Sequence, residues 1–161
     1  MHTVIISTGS NQGEREQHLQ SAIEALEAHG FALLKASAVY ETAAWGMEAQ
    51  PAFLNQVLCV ETVHKPSHCM ELMLAIERAM GRQRQQKWGP RIIDLDILFY
   101  DHDVINESDL MVPHPYLHKR RFILQPLHEI MPDYIHPVLK LSVSEMLENC
   151  EDVLPVTLYQ P

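Results

Sequence analysis

Arg91-Ile92-Ile93-Asp94-Leu95-Asp96-Ile97-Leu98-Phe99-Tyr100 (RIIDLDILFY) reads as a strand, and it decides the fold because it completes a strand–helix–strand–strand–helix–strand order. Immediately before it, Gly81 to Gly89 (GRQRQQKWG) is polar and basic, which predicts a mobile loop. Before that loop, Cys69, Leu72, Met73, Ile76 and Met80 form the apolar stripe of a helix. Pro66 lies in its first turn and Gly81 just past its end. Phe53 to Thr62 (FLNQVLCVET) is a strand rich in apolar and β-branched residues, and Phe31 to Glu41 is β-like, with Val39 and Tyr40 at its end. Further back, Leu19, Ala22, Ile23 and Leu26 follow helical spacing, and Gly30 closes that helix. Val4-Ile5-Ile6 is a buried strand that runs into Thr8-Gly9-Ser10-Asn11, a turn with helix-capping residues.

Downstream, Asp101-His102-Asp103 turns the chain back, and Leu110-Met111-Val112 gives a short strand ended by Pro113. A helical stretch follows around Arg120 to Ile130, and Ser142-Val143-Ser144-Glu145 has the capping-box pattern of a last short helix. The order predicts an α+β fold: a ferredoxin-like antiparallel sheet with helices packed on it and C-terminal additions. It lacks the regular alternation of a doubly wound nucleotide-binding fold.

With 161 residues and no Gly/Ser linker or repeat, residues 1–161 are expected to form a single domain. Twelve basic and 21 acidic side chains give a net charge of −9, which argues against non-specific nucleic-acid binding. A few local arginines can still hold an anionic ligand. Cys59, Cys69 and Cys150 cannot all pair and match no zinc motif, so they are expected to be small buried thiols in a reducing compartment. Ten histidines show no H-E-x-x-H, and His114 and His118 are separated by Pro115, so a transition-metal site is not expected. Neither a signal peptide nor a membrane-length apolar run is visible, and a soluble cytoplasmic protein is expected.

Alternation on the Arg91–Tyr100 strand puts Asp94 and Asp96 on one face, their Cβ atoms roughly 6.5–7 Å apart. Ile92 and Leu98 flank them, while Arg91, Ile93, Leu95, Ile97 and Phe99 take the opposite face. Aspartate is disfavoured in strands, and two such neighbours repel. A divalent cation between them removes that conflict, and an oxygen-only donor pair suits Mg²⁺. A solvated sheet face is the alternative. Arg82, Arg84, Lys87 and Arg91 add a cationic cluster beside these carboxylates, the combination that phosphoryl-type transfer requires. No Walker A motif and no G-x-G-x-x-G is present, so a nucleotide would be held in another way. Trp88 can stack on a flat ring, or pack. Phe53 and Asn55 share a face and together can grip a heterocycle, although Phe53 also suits a core. His114 lies between two prolines and can donate to a phosphate or cap a turn.

Taken together, these residues resemble the 6-hydroxymethyl-7,8-dihydropterin pyrophosphokinase family of folate biosynthesis. The resemblance rests on Gly9-Ser10-Asn11, Tyr40-Glu41-Thr42, Phe53-Leu54-Asn55, Glu77, Gly81-Arg82-x-Arg84 and Trp88-Gly89-Pro90-Arg91. It continues through Asp94-Leu95-Asp96-Ile97, Val112-Pro113-His114-Pro115, Arg120-x-Phe122 and Pro126-Leu127. It implies a monomer that transfers the β,γ-pyrophosphoryl group of ATP to the pterin hydroxymethyl oxygen, releasing AMP. Asp94 and Asp96 would hold two Mg²⁺ ions. Arg82, Arg84 and Arg91 would act with them in catalysis. Glu77, Arg82, Arg84, Trp88, Arg91, Ile97, His114 and Arg120 would form the nucleotide site. Phe53 and Phe122 would sandwich the pterin, with Thr42, Ala43, Trp45, Asn55, Trp88 and Asp94 completing its site. The chain departs from the family pattern at Ala43-Ala44-Trp45, Leu74, Asp109 and Met111.

Three other functions compete. A non-catalytic ATP–Mg binding module of the same fold would not need the loop arginines. A nucleic-acid-binding domain would need exposed sheet aromatics and a basic face, and the chain shows neither. An ordinary kinase would move only the terminal phosphate, and the product would tell.

Overall fold

The computed structural model describes residues 1–43, 51–81 and 91–161. The chain runs β1 (His2–Ser10), α1 (Arg15–Ala28), β2 (Ala32–Ala36), β3 (Tyr40–Thr42), β4 (Phe53–Thr62), α2 (Pro66–Ala79) and β5 (Asp94–Tyr100). Then come β6 (Ile105–Asn106), β7 (Met111–Val112), a 3₁₀ turn (Leu117–Lys119), α3 (Arg121–Ile130), α4 (Val143–Glu148) and β8 (Val156–Leu158). The main sheet has the order β5-β1-β4-β3-β8, and β2 pairs with β4 on the same side as β3. All these pairings are antiparallel. With β2 and β3 counted as one segment, this is the expected ferredoxin-like arrangement.

Period-two alternation in β1 and β4 builds a core on each face of the sheet. Val4, Ile6, Leu54, Leu58 and Val60 point toward α1 and α2, against Leu19, Leu26, Cys69, Met73 and Ile76. Ile5, Val57 and Cys59 point the other way, onto Ile123, Leu124 and Leu127 of α3 and Val143 and Met146 of α4. The C-terminal additions therefore form a third layer over the half of the sheet that the first two helices leave open. The expected capping box is complete: the Ser142 side chain accepts from the Glu145 N–H, and the Glu145 carboxylate accepts from the Ser142 N–H. Cys59 and Cys69 are buried and Cys150 is half-buried; none forms a disulfide.

Several local expectations need correction. The Phe31–Glu41 segment is two strands, because Ser37 breaks the ladder: its N–H donates to the Val57 carbonyl and its hydroxyl accepts from the Val57 N–H. Thr8, Ser10 and Asn11 do not cap α1, since β1 runs on through Ser10 and the helix begins only at Arg15. In α2, Leu72 and Met80 are only partly buried, and the acidic Glu77 takes a core position instead. The strand expected from Arg91 begins at Asp94, so alternation does not govern Arg91. Within β5 a register shift opposite Ile5/Ile6 puts Leu98 and Phe99 together in the α3-side core and returns Tyr100 to the other. Phe99 therefore does not share the face of Leu95 and Ile97. The helix expected from Arg120 starts at Arg121, after the 3₁₀ turn. The loop expected at 81–89 lies outside the described residues from position 82 on.

Candidate functional site

On the α3 side of the sheet, the β1 residues in line with Ile5 are Ser7 and Gly9. Register places Gly9 between Asp94 of β5 and Asn55 of β4, and Ser7 between Asp96 and Val57. Two small residues in the central strand thus leave a trough between a pair of carboxylates and an amide. A Cβ built on Gly9 would come within 3.1 Å of Asn55 Oδ1 and 3.7 Å of Phe53 Cδ1. Above the trough stand Tyr116, Lys119, Arg120, Phe122 and Ile123, from the 3₁₀ turn and α3. The open cavity has a volume of about 470 Å³ and is also lined by Thr42, Ala43, Phe53, Asn55, Arg91, Asp94 and Asp96.

Polar contacts fix its walls. Asn55 is buried and donates through Nδ2 to Thr42 Oγ1 at 2.6 Å, which locks the amide against β3. Arg91 Nη1 donates to Asp94 Oδ2 at 2.9 Å, so arginine and carboxylate lie together where sequence alternation had separated them. Asn11, fully buried, holds this corner. Its Oδ1 accepts the Arg91 N–H at 2.7 Å, its own N–H donates to the Arg91 carbonyl, and Nδ2 donates to the Pro51 carbonyl at 3.3 Å. The Arg120 guanidinium sits 5.4 Å from the Tyr116 ring centre and 5.9 Å from that of Phe122, within cation–π range of both.

His114 lies at the margin of this charge field. Its backbone N–H donates to the Leu98 carbonyl, which ties it to β5. Nδ1 accepts the Tyr116 N–H at 3.2 Å, so the neutral ring carries its proton on Nε2. Burial and then the Arg120 charge push its pKa down to about 4, against the upward pull of Asp94. At neutral pH it is an uncharged donor.

Among the residues singled out in the sequence, the cavity brings together Thr42, Ala43, Phe53, Asn55, Arg91, Asp94, Asp96, Arg120 and Phe122. Glu77 and Ile97 lie on the other side of β5, toward α2. Ile97 is in the α1/α2 core, and buried Glu77 accepts the Leu95 N–H at 2.7 Å. Trp45, Arg82, Arg84 and Trp88 fall outside the described residues.

The sequence profile of the 7,8-dihydro-6-hydroxymethylpterin-pyrophosphokinase (HPPK) family matches residues 5–132. The chain belongs to this family. It is 44% identical over 145 residues to the 2-amino-4-hydroxy-6-hydroxymethyldihydropteridine pyrophosphokinase of Aquifex aeolicus, covering 90% of each chain. The enzyme of that name from Bacillus subtilis is 42% identical over 126 residues, 78% of this chain and 75% of that one. Among solved structures, wild-type HPPK-DHPS of Plasmodium falciparum aligns over 92% of this chain with a TM-score of 0.73 at 16% identity, a likeness of fold. This chain spans 44% of that longer one.

In this HPPK-family chain, the sequence assigns no role to Ser7, Tyr116 or Lys119, and Gly9 and Asn11 read only as turn or cap residues and as part of the family motif. Only the register of β1 with β5 shows that Gly9 and Ser7 lie beside Asp94 and Asp96. Lys119 adjoins Arg120, but only the 3₁₀ turn shows that both reach the cavity. Two carboxylates on one cavity wall, an oxygen-only donor pair, suit Mg²⁺. That ion takes one or two protein carboxylates and completes its shell with water and phosphate oxygens.

Proposed function

We propose that this chain transfers the β,γ-pyrophosphoryl group of ATP to the hydroxymethyl oxygen of 6-hydroxymethyl-7,8-dihydropterin. The products are AMP and the pterin diphosphate, a step of folate biosynthesis. The observation that carries this reading is the single cavity that joins Asp94, Asp96, Arg91 and Arg120 to Phe53, Asn55 and Phe122. Anion-handling groups at one end adjoin aromatic and amide groups at the other. A binding module needs no such union of donor and acceptor subsites.

The acceptor ring sits between Phe53 and Phe122, with the Asn55 amide and the backbone at Thr42 and Ala43 reading its hydrogen-bonding edge. Asp94 and Asp96 would hold two Mg²⁺ ions, which supply charge neutralisation on the triphosphate. Arg91 and Arg120 contact phosphate oxygens, and His114 donates from Nε2. Glu77 and Ile97 shape the nucleotide pocket beyond β5. Arg82, Arg84, Trp88 and Trp45 take the roles that the family resemblance gives them. In the reaction the hydroxyl oxygen bonds to the β phosphorus. The bond from that phosphorus to the bridging oxygen breaks, and AMP leaves with that oxygen. The hydroxyl proton passes to Asp96 or to solvent. An alcohol acceptor and a loose transition state demand little base strength, so positioning and electrostatics do most of the work. The reading includes a single domain over residues 1–161, acting as a cytoplasmic monomer. No helix among the described residues is long and apolar enough to cross a membrane.

The test is release of AMP from ATP and Mg²⁺, with and without the dihydropterin. Wild type should release AMP only when the pterin is present. Asp96→Asn should lower kcat by about a thousandfold with an unchanged circular dichroism spectrum. Wild-type turnover in a folded Asp96→Asn variant would refute the assignment of Asp96. No pterin-dependent AMP from wild type would refute the function.

A further inference from the structure

The segment that follows α4 crosses from one wall of the cavity to the other. Near its start, Asp152 Oδ2 accepts the backbone N–H of Arg121, the first residue of α3, at 3.1 Å. Its Oδ1 accepts the Leu154 N–H at 3.0 Å, so both carboxylate oxygens are engaged. Arg121 answers with its side chain: Nε donates to the Asp152 carbonyl at 2.8 Å and Nη2 to the Cys150 carbonyl at 3.3 Å. Arg121 itself does not line the cavity, but its neighbours Arg120 and Phe122 do.

At the other end of the segment, β8 pairs with β3, with Val156 opposite Thr42 and Thr157 opposite Glu41. The Tyr159 N–H donates to the Val39 carbonyl at 2.9 Å. The Arg15 guanidinium lies 5.6 Å from the Tyr159 ring centre, and its Nη1 reaches both Glu41 Oε2 and the Ala52 carbonyl at 2.8 Å. Ala52 immediately precedes Phe53, which faces Thr42 across the β3–β4 pair. One stretch of ten residues thus grips the helix end that carries Phe122 and the strand pair that carries Thr42 and Phe53.

From this we infer that residues 150–159 are a strap that sets the width of the acceptor subsite, with Asp152 and Arg121 as its positioning residues. The inference rests on reading that subsite as the pterin pocket. The opposite wall is independent of the strap, because Arg91, Asp94 and Asp96 hang on β1, Asn11 and β5. Arg120 is also held from before the helix: its N–H donates to the carbonyl of fully buried Leu117, and its guanidinium rests on Tyr116. Phe122, the second residue of α3, packs against the α3-side core and directly follows Arg121, whose backbone N–H and side chain the strap holds. Loosening the strap should therefore weaken the hold on the acceptor and spare the nucleotide.

The test compares wild type with Asp152→Ala, Arg121→Ala and the double variant, measuring kcat and both KM values alongside thermal unfolding. In Asp152→Ala the KM for the dihydropterin should rise about tenfold, while that for ATP stays within about twofold. The double variant should be worse than either single one, because Asp152→Ala removes the two bonds its carboxylate accepts and Arg121→Ala the two its guanidinium donates. Asp152→Asn keeps an acceptor oxygen and should recover part of the loss, and it carries the same test if the alanine variant does not fold. An unchanged pterin KM in a folded variant would overturn the inference. So would equal rises in both KM values, the sign of a disturbance not confined to the acceptor subsite. A wild-type protein that releases no pterin-dependent AMP would instead bring down the function on which the inference rests.

Discussion

Gly9 shows how one absent side chain can define a site. It lies in the row Asp94–Gly9–Asn55, where register brings three strands side by side, and any Cβ there would press on the Asn55 amide oxygen and touch the Phe53 ring. Gly9→Ala should raise the dihydropterin KM several-fold, roughly 5- to 20-fold, with the ATP KM little changed, in a steady-state assay varying each substrate. Equal effects on both would mean that Gly9 serves the fold rather than the acceptor. The carboxylates across the row were legible in the sequence because Asp-Leu-Asp inside an apolar strand is a local conflict that calls for an explanation. Gly9 was not, since a glycine near the end of a strand looks like the start of a turn. Arg91 was misplaced for a related reason. Alternation assigns a face only within a strand, and β5 begins three residues later.

At the scale of elements, legibility followed the range of the forces involved. The bounds of β4 and the capping box of α4 are written in neighbouring residues and could be read directly. The break between β2 and β3, the irregularity in β5 and the pairing of β8 depend on partners tens of residues away, and no local pattern announces them. The turn between α3 and α4 carries a similar hidden constraint. His136 is 5% exposed, its Nδ1 accepts the N–H groups of Val138 and Leu139 at 3.1 and 3.0 Å, and its ring stands edge-on to Phe99. Burial, then the proximity of His118, holds its pKa below the ordinary histidine value of 6.5. His114 and His118 are depressed as well, both chiefly by burial. A group with a lowered folded-state pKa gives stability that is complete above pH 6.5 and is lost as pH falls toward the folded value. Thermal midpoints should therefore fall between pH 7 and pH 5, and His136→Gln, which keeps an acceptor, should flatten part of that slope. A slope identical to wild type would show that His136 does not contribute.

Across the whole molecule, a sheet covered by α1 and α2 on one face and α3 and α4 on the other leaves its cavity where the second cover is incomplete. That placement reconciles a net charge of −9 with an anionic co-substrate, since Arg91, Lys119 and Arg120 all gather at one opening. The ferredoxin-like core was legible from the order of apolar segments alone. The third layer was legible only as additions, because nothing in α3 or β8 states which surface it will cover. Donor and acceptor groups in one trough are what distinguish a transferase from a binder, and the phosphorus attacked distinguishes pyrophosphoryl from terminal-phosphate transfer. ATP labelled at the β phosphorus, incubated with Mg²⁺ and 6-hydroxymethyl-7,8-dihydropterin and resolved by chromatography, separates the two. The label should leave the nucleotide and appear in a pterin diphosphate, with unlabelled AMP formed in equal amount. Label retained in ADP beside a pterin monophosphate would mean that the terminal phosphate moves instead, and would refute pyrophosphoryl transfer.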